Sequence, residues 1–215
     1  MTAEKLSPWQ ERTIERNLLD AKRRLLTKST RFVQAARSLL EETGSLDFTV
    51  QDVVERSKLS LRGFYQAFAS KDDLLLALFE EYMASGAEMQ RDMLRRIVDP
   101  VEQIHAYLAS YWGTPQDPRV TRALAQYHLT LAMTRPADLS HALDPARALL
   151  LESVRAGVGS GRIRGDIDPQ RLTEILMATG ITAIHTAVTQ SDSLPARMPE
   201  EIWQFCLSGI SPSRR

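Results

Sequence analysis

Apolar residues recur along this 215-residue chain at intervals of three and four, not at every second position. Such spacing lines one face of an α-helix, whereas a half-buried strand would alternate. From Leu25 to Thr43 the residues Leu25, Leu26, Phe32, Val33, Ala36, Leu39 and Leu40 follow the helical rule, and Gly44 supplies a stop. Thr49 opens a short helix, with Asp52 three residues on as a shorter relative of the capping-box glutamate. That helix ends near Ser57. Ser60 is placed to cap a second short helix, and Ser70, followed by Asp72 and Asp73, a long one reaching about residue 97. Further helices are predicted over 100–112, 119–134, 137–158, 168–190 and 199–209. They are separated by breaks rich in Gly, Pro and Asp such as "GTPQDP", "GSGRIRGDIDP" and "SDSLPARMP". Pro145 is expected to kink the 137–158 helix or to mark its start. No segment sustains period-two alternation, so the fold class is all-α. Residues 1–24 are a polar, charge-rich lead-in, frayed or helical.

Composition narrows the class. A hydrophobic share of 43% with 25% charged residues supports a buried core in one or two domains. The single cysteine, Cys206, excludes an internal disulfide framework and fits a reducing cytoplasm. No apolar run approaches the roughly 18–20 residues of a membrane span, and "MTAEKLSPWQERTIER" lacks a signal-peptide apolar region. The expectation is a cytoplasmic protein with no membrane partner. Charge is divided unevenly: residues 1–71 hold 13 Lys/Arg and nine Asp/Glu, a net of +4, and the remainder is −4. A basic front end suits contact with a polyanion.

Two short helices joined by a tight turn and flanked by longer ones form a helix-turn-helix pattern. In the second, Leu59, Phe64 and Phe68 can pack on Val50, Val53 and Val54, leaving Leu61, Arg62, Gly63, Tyr65 and Gln66 to face outward. Arginine can bridge guanine O6 and N7, and glutamine can pair with adenine N6 and N7 in the major groove. Tyrosine and lysine more often hold phosphates. Gly63 costs about 1 kcal/mol in helix propensity, which a close approach of backbone to DNA would explain. Packing accounts for Phe64 and Phe68 but not for the polar set.

The same residues carry a resemblance. Thr49, Val53-Val54, Leu59-Ser60, Phe64-Tyr65, Phe68 and "SKDDLL" at Ser70–Leu75 resemble the DNA-binding region of TetR-family transcriptional regulators over residues 25–80. Ser57-Lys58 stands where the family commonly has Ala-Gly, Val54 replaces a usual alanine, and Ala67 stands where His or Tyr often contacts phosphate. The resemblance implies an extension over 1–24, a three-helix DNA-binding domain over 25–71, and a helical ligand-binding and dimerisation domain over 72–215. It implies that Tyr65 and Lys71 bind phosphate, that Thr49 contacts the DNA backbone, and that Ser60, Leu61, Arg62, Gly63 and Gln66 enter the groove. Arg23, Arg24 and Lys28, in the "AKRR" run and just beyond it, could add phosphate or minor-groove contacts as an arm; the plain alternative is a solvated basic run.

For the rest of the chain the resemblance implies a homodimer, a small effector and no cofactor. Tyr107, Trp112, Tyr127 and His128, from a methionine- and aromatic-rich middle region, are the predicted pocket lining, suited to an apolar effector. A small-residue stripe around Gly180, with Leu172, Leu176 and Ala183, and the face of Ile202 and Phe205, are the predicted dimer interface; both faces serve equally well as intrachain core. An enzyme is the contrasting reading. Glu102 and His105 have the Glu-x-x-His spacing of di-iron bundles, and Asp138–His141 echoes it poorly, but such a site needs two good copies and two further glutamates. The expected function is therefore a ligand-responsive, non-enzymatic repressor of a palindromic double-stranded DNA operator. A transcriptional activator, or a regulator without a small effector, is the alternative.

Overall fold

In a computed structural model the protein is described over residues 7–113, 117–190 and 198–212, with the backbone alone at 11, 112, 113, 187–190 and 198. The described residues form α-helices and no strand. They divide into two compact units, Met1–Leu78 and Phe79–Arg215. The predicted boundary at 71/72 falls seven residues earlier, in the first turn of a helix that belongs to both units.

Unit 1 is built from α1 (Pro8–Thr43), α2 (Val50–Ser57), α3 (Leu61–Ala67) and the start of α4 (Lys71–Leu94). From Pro8 onward the polar lead-in is no separate segment: one helix runs from Pro8 to Thr43, through the whole of 9–43 without a glycine or proline to break it. It begins with Pro8 in its first turn and Ser7 N–H donating to Gln10 Oε1 at 2.8 Å. It ends at Gly44, whose left-handed backbone lets its N–H reach the Leu40 carbonyl at 2.7 Å. Only the second half of α1 is covered. Phe32, Ala36 and Leu40 are fully buried, while Ile14, Leu18, Leu25 and Leu26 on the first half are exposed. Phe32 is the centre of the unit's core, its ring edge-on to Phe64 at 5.5 Å and to Phe68 at 6.4 Å.

Unit 2 holds the rest of α4 with α5 (Pro100–Gly113), α6 (Pro118–Thr134), α7 (Pro136–Gly159), α8 (Pro169–Gln190) and α9 (Met198–Ile210). Helix α5 packs on α7, α8 and α9, and α7 also on α6 and α8. Their shared core contains Ile104, Tyr107, Leu108, Leu150, Val154, Leu172, Leu176 and Trp203. Pro145 lies inside α7 and does not start it. Arg162 closes on Asp99 at 2.7 Å, and the Arg164 backbone N–H donates to the Ile210 carbonyl at 2.9 Å. These two contacts fasten the 160–168 connection to the neighbouring helix ends.

Candidate functional site

Each helix around the turn of unit 1 is started by its own side chain. Thr49 and Asp52 exchange bonds across the first turn of α2: the Thr49 N–H donates to Asp52 Oδ2 at 2.7 Å and the Asp52 N–H to Thr49 Oγ1 at 3.2 Å. The Gly63 N–H donates to Ser60 Oγ at 3.1 Å, and the Asp73 N–H to Ser70 Oγ at 3.2 Å. Helix α2 ends on Lys58 in the left-handed region, φ 54° and ψ 37°. This fixes the chain reversal that aims α3. Arg31 Nη2 reaches across to the Ser57 carbonyl at 2.7 Å and ties the turn to α1.

On α3, Phe64 is fully buried, whereas Leu61, Arg62, Tyr65 and Gln66, with Ser60 before them, are exposed. Arginine, glutamine and tyrosine therefore share one accessible face with a leucine suited to a thymine methyl. Gly63 departs from the expectation. It is buried and faces α1, where an added Cβ would lie 3.2 Å from Ser60 Oγ and 3.9 Å from Phe32 Cζ. Its smallness leaves room for the Ser60 cap of α3, with Phe32 at ordinary contact distance.

One expected phosphate contact, Thr49, has a prior engagement. The Thr49 hydroxyl donates to Asp52 Oδ2 at 2.8 Å, so both its hydroxyl and its backbone N–H are spent on the cap. Phosphate oxygens only accept. The Asp52 carboxyl is held below its ordinary range by the Thr49 backbone and hydroxyl bonds, with Lys71 contributing a smaller attraction. Lys71 is half-buried with its ammonium 5.2 Å from the Phe48 ring centroid. Arg23 and Arg24 are exposed and Lys28 half-exposed on α1, so the expected arm is a helical extension of the first core helix.

Unit 2 contains a cavity of about 750 Å³ between α4, α5, α6, α7 and α8, with Phe79, Met83, Met93, Tyr111, His128 and His185 among its walls. Of the predicted lining, His128 is there. Tyr107 is a correction: it is fully buried in the core and its hydroxyl meets that of Tyr111 at 2.8 Å, so Tyr111, one helical turn on, takes the wall position. Tyr127 packs on Phe79 at 5.9 Å, behind the wall. The Trp112 side chain lies outside the described residues. His185 was missed, although it interrupts the apolar face of Ile181 and Ile184 at helical spacing. The His128 and His185 rings sit 5.0 Å apart, and burial lowers the proton affinity of both. Also in the wall, Gln90 Nε2 donates to Ser110 Oγ at 2.8 Å.

The expected dimer stripe is also corrected. Leu172, Leu176 and Ala183 are buried within unit 2, and a Cβ on Gly180 would lie 3.2 Å from Tyr111 and 3.5 Å from Leu108. That face of α8 packs on α5 and α7 of its own chain, and Gly180 leaves room there for Tyr111 and Leu108 of α5. Ile202 is half-buried against the same core; Phe205 is 77% exposed and Ile175 on α8 is 51% exposed. Glu102 and His105 approach to 3.8 Å, but His105 stacks on Trp203 at 4.5 Å, and Asp138 bonds Arg135. Among the described residues no three His, Cys, Asp or Glu side chains gather as a metal site would require. None of the described helices is long and apolar enough to cross a membrane.

Comparison with known proteins bears on both units. Residues 32–78 match the family model of bacterial regulatory proteins, tetR family. No curated protein sequence matches the chain. Solved structures do: RolR in complex with resorcinol is similar with a TM-score of 0.64 and 17% identity, over 88% of this chain and 90% of that one. The regulator FadR from Bacillus subtilis in complex with stearoyl-CoA gives 0.61 and 17%, over 84% and 98%. A TetR-family transcriptional regulator from Agrobacterium tumefaciens gives 0.62 and 23%, over 87% and 99%. The segment 32–78 thus belongs to the TetR family of bacterial regulatory proteins, and the chain has the fold of that family's transcriptional regulators.

Proposed function

We propose that the protein is a homodimeric, ligand-responsive repressor that reads a palindromic DNA operator with α3 and releases it when a small, largely apolar effector fills the unit 2 cavity. The observation that carries this is the division of α3: Phe64 anchored on Phe32 behind, and Arg62, Tyr65 and Gln66 together in front. Ser60 and Leu61 complete the face, and Arg23, Arg24 and Lys28 supply backbone or minor-groove contacts from α1. Lys71 joins them on phosphate with its ammonium donors, and Thr49 joins by leaving the α2 cap. The proteins of similar fold solved with resorcinol and with stearoyl-CoA support a small-molecule role for the cavity.

Two reading heads on a two-fold axis must lie about one helical turn apart, roughly 34–36 Å, or a small multiple of that. An effector that binds better to a dimer with the wrong spacing lowers operator affinity by linkage, typically by about 1–3 kcal/mol. Helix α4, which contributes to both units, is the covalent path for that coupling. Phe205 and Ile175 are the apolar side chains that α9 and α8 leave available for the dimer.

Selection of bound fragments from random DNA tests the reading. The expected product is a two-fold symmetric site whose affinity falls as salt rises. Recovery of no preferred sequence at any salt concentration would reject it.

A further inference from the structure

The chemistry of the cavity says what kind of effector it accepts, and this inference rests on the ligand-binding part of the function proposed above. Its described walls are methionine, aromatic and aliphatic side chains with hydroxyls, the Gln90 amide and two imidazoles; among them is no carboxylate, ammonium or guanidinium. A buried charge on a ligand would therefore lose its water and find no opposite charge in the described wall itself.

His128 supplies the more specific constraint. Its Nδ1 is buried and has no hydrogen-bond partner among the described residues. Protonating the ring would place a second N–H at that unpartnered position, at the cost of an unsatisfied buried donor. Burial and the missing partner thus both disfavour the protonated ring, and Nε2 is the nitrogen left to meet a ligand. His185 stands beside it, ring centroids 5.0 Å apart, with a hydrogen bond to the Ala125 backbone. In a neutral ring whose N–H is committed to the backbone, the other nitrogen is an acceptor. A hydroxyl both donates and accepts, whereas a carboxylate only accepts and an ammonium only donates.

We infer that the unit 2 cavity selects an uncharged, largely apolar ligand bearing a hydroxyl, which hydrogen-bonds His128 Nε2 beside His185. The cavity, at about 750 Å³, has room for an aromatic or long aliphatic body attached to that group.

Four probes of one shape test the inference on the full chain without DNA: biphenyl, 4-hydroxybiphenyl, biphenyl-4-carboxylate and biphenyl-4-methylammonium, titrated calorimetrically at pH 7.5. The phenol is expected to bind about tenfold more tightly than the hydrocarbon, the effect of one hydrogen bond worth about 1.4 kcal/mol. Both ions are expected to bind at least tenfold more weakly than the phenol. His128→Leu should erase the preference for the phenol over the hydrocarbon while keeping hydrocarbon affinity, which also shows that the cavity is intact. His128→Gln, which keeps a donor, should retain part of that preference. Carboxylate binding equal to that of the phenol, a phenol preference that survives His128→Leu, or no binding by any probe would overturn the inference. Failure of a bound probe to release operator DNA is a separate result: it would count against effector control and leave the ligand class standing.

Discussion

Lys58 occupies the left-handed region, φ 54°, in which a side chain meets its own carbonyl and which glycine enters freely. The strain persists because the turn is fixed on both sides: the Lys58 N–H bonds the Glu55 carbonyl at 3.2 Å, and Arg31 holds Ser57. Lys58→Gly should stabilise unit 1 by about 0.5–1 kcal/mol, the relief of strain outweighing the extra freedom glycine gives the unfolded chain. A urea titration checks this, and a lower midpoint would show that Lys58 makes a compensating contact. Arg62 is the second decisive residue. If it bridges a guanine, Arg62→Ala costs about 1–3 kcal/mol and relaxes preference at one base position per half-site. A loss spread evenly over all sequences would assign it to phosphate.

At the scale of elements, α8 separates two roles. Its inner face, Leu172, Leu176, Gly180 and Ala183, is committed to its own chain, with Gly180 under Tyr111. Gly180→Leu would overpack that contact, typically by about 1–3 kcal/mol, against a gain in helix propensity of somewhat less than about 1 kcal/mol. The expected result is a less stable protomer, seen as a lower thermal midpoint. The dimer is tested elsewhere. Phe205→Glu replaces a 77% exposed apolar ring and should leave protomer stability nearly unchanged while shifting sedimentation towards monomer. Continued dimerisation of this variant would move the interface off the exposed face of α9.

For the molecule as a whole, charge and titration follow the division of labour. The excess of basic residues lies up to residue 71, in the unit expected to meet DNA, and the acidic excess beyond it. Stability should respond to pH through the imidazoles of unit 2. Burial lowers the affinity of His128 and His185 for protons below the ordinary value of 6.5, His128 further through its neighbour His185. A lowered folded-state value means that the unfolded chain binds protons first. The stability from these groups is complete above about pH 6.5 and declines as pH falls from there towards their folded-state values. Denaturant midpoints measured from pH 7.5 to 5.5 should fall, and His128→Leu should flatten the fall. An equal slope in that variant would assign the loss to other groups.

The sequence by itself determined the all-helical class, the helix ends marked by Thr49, Ser60 and Ser70, and the outward set Arg62, Tyr65 and Gln66. These are local quantities, set by spacing along the chain and by bonds spanning three residues. It also carried the family resemblance at 49–75. It did not reveal that α1 continues unbroken to Pro8, because the few apolar residues of that half, Ile14 and Leu18 among them, lie exposed among charged ones and meet no core. Only the tertiary structure decided which way Gly63 and Gly180 face, that Tyr107 is core while Tyr111 is wall, and that His128 meets His185 from 57 positions away. A small residue in a helix signals a close neighbour without saying which one. A pair of rings separated by 57 positions comes together only when α6 and α8 have packed.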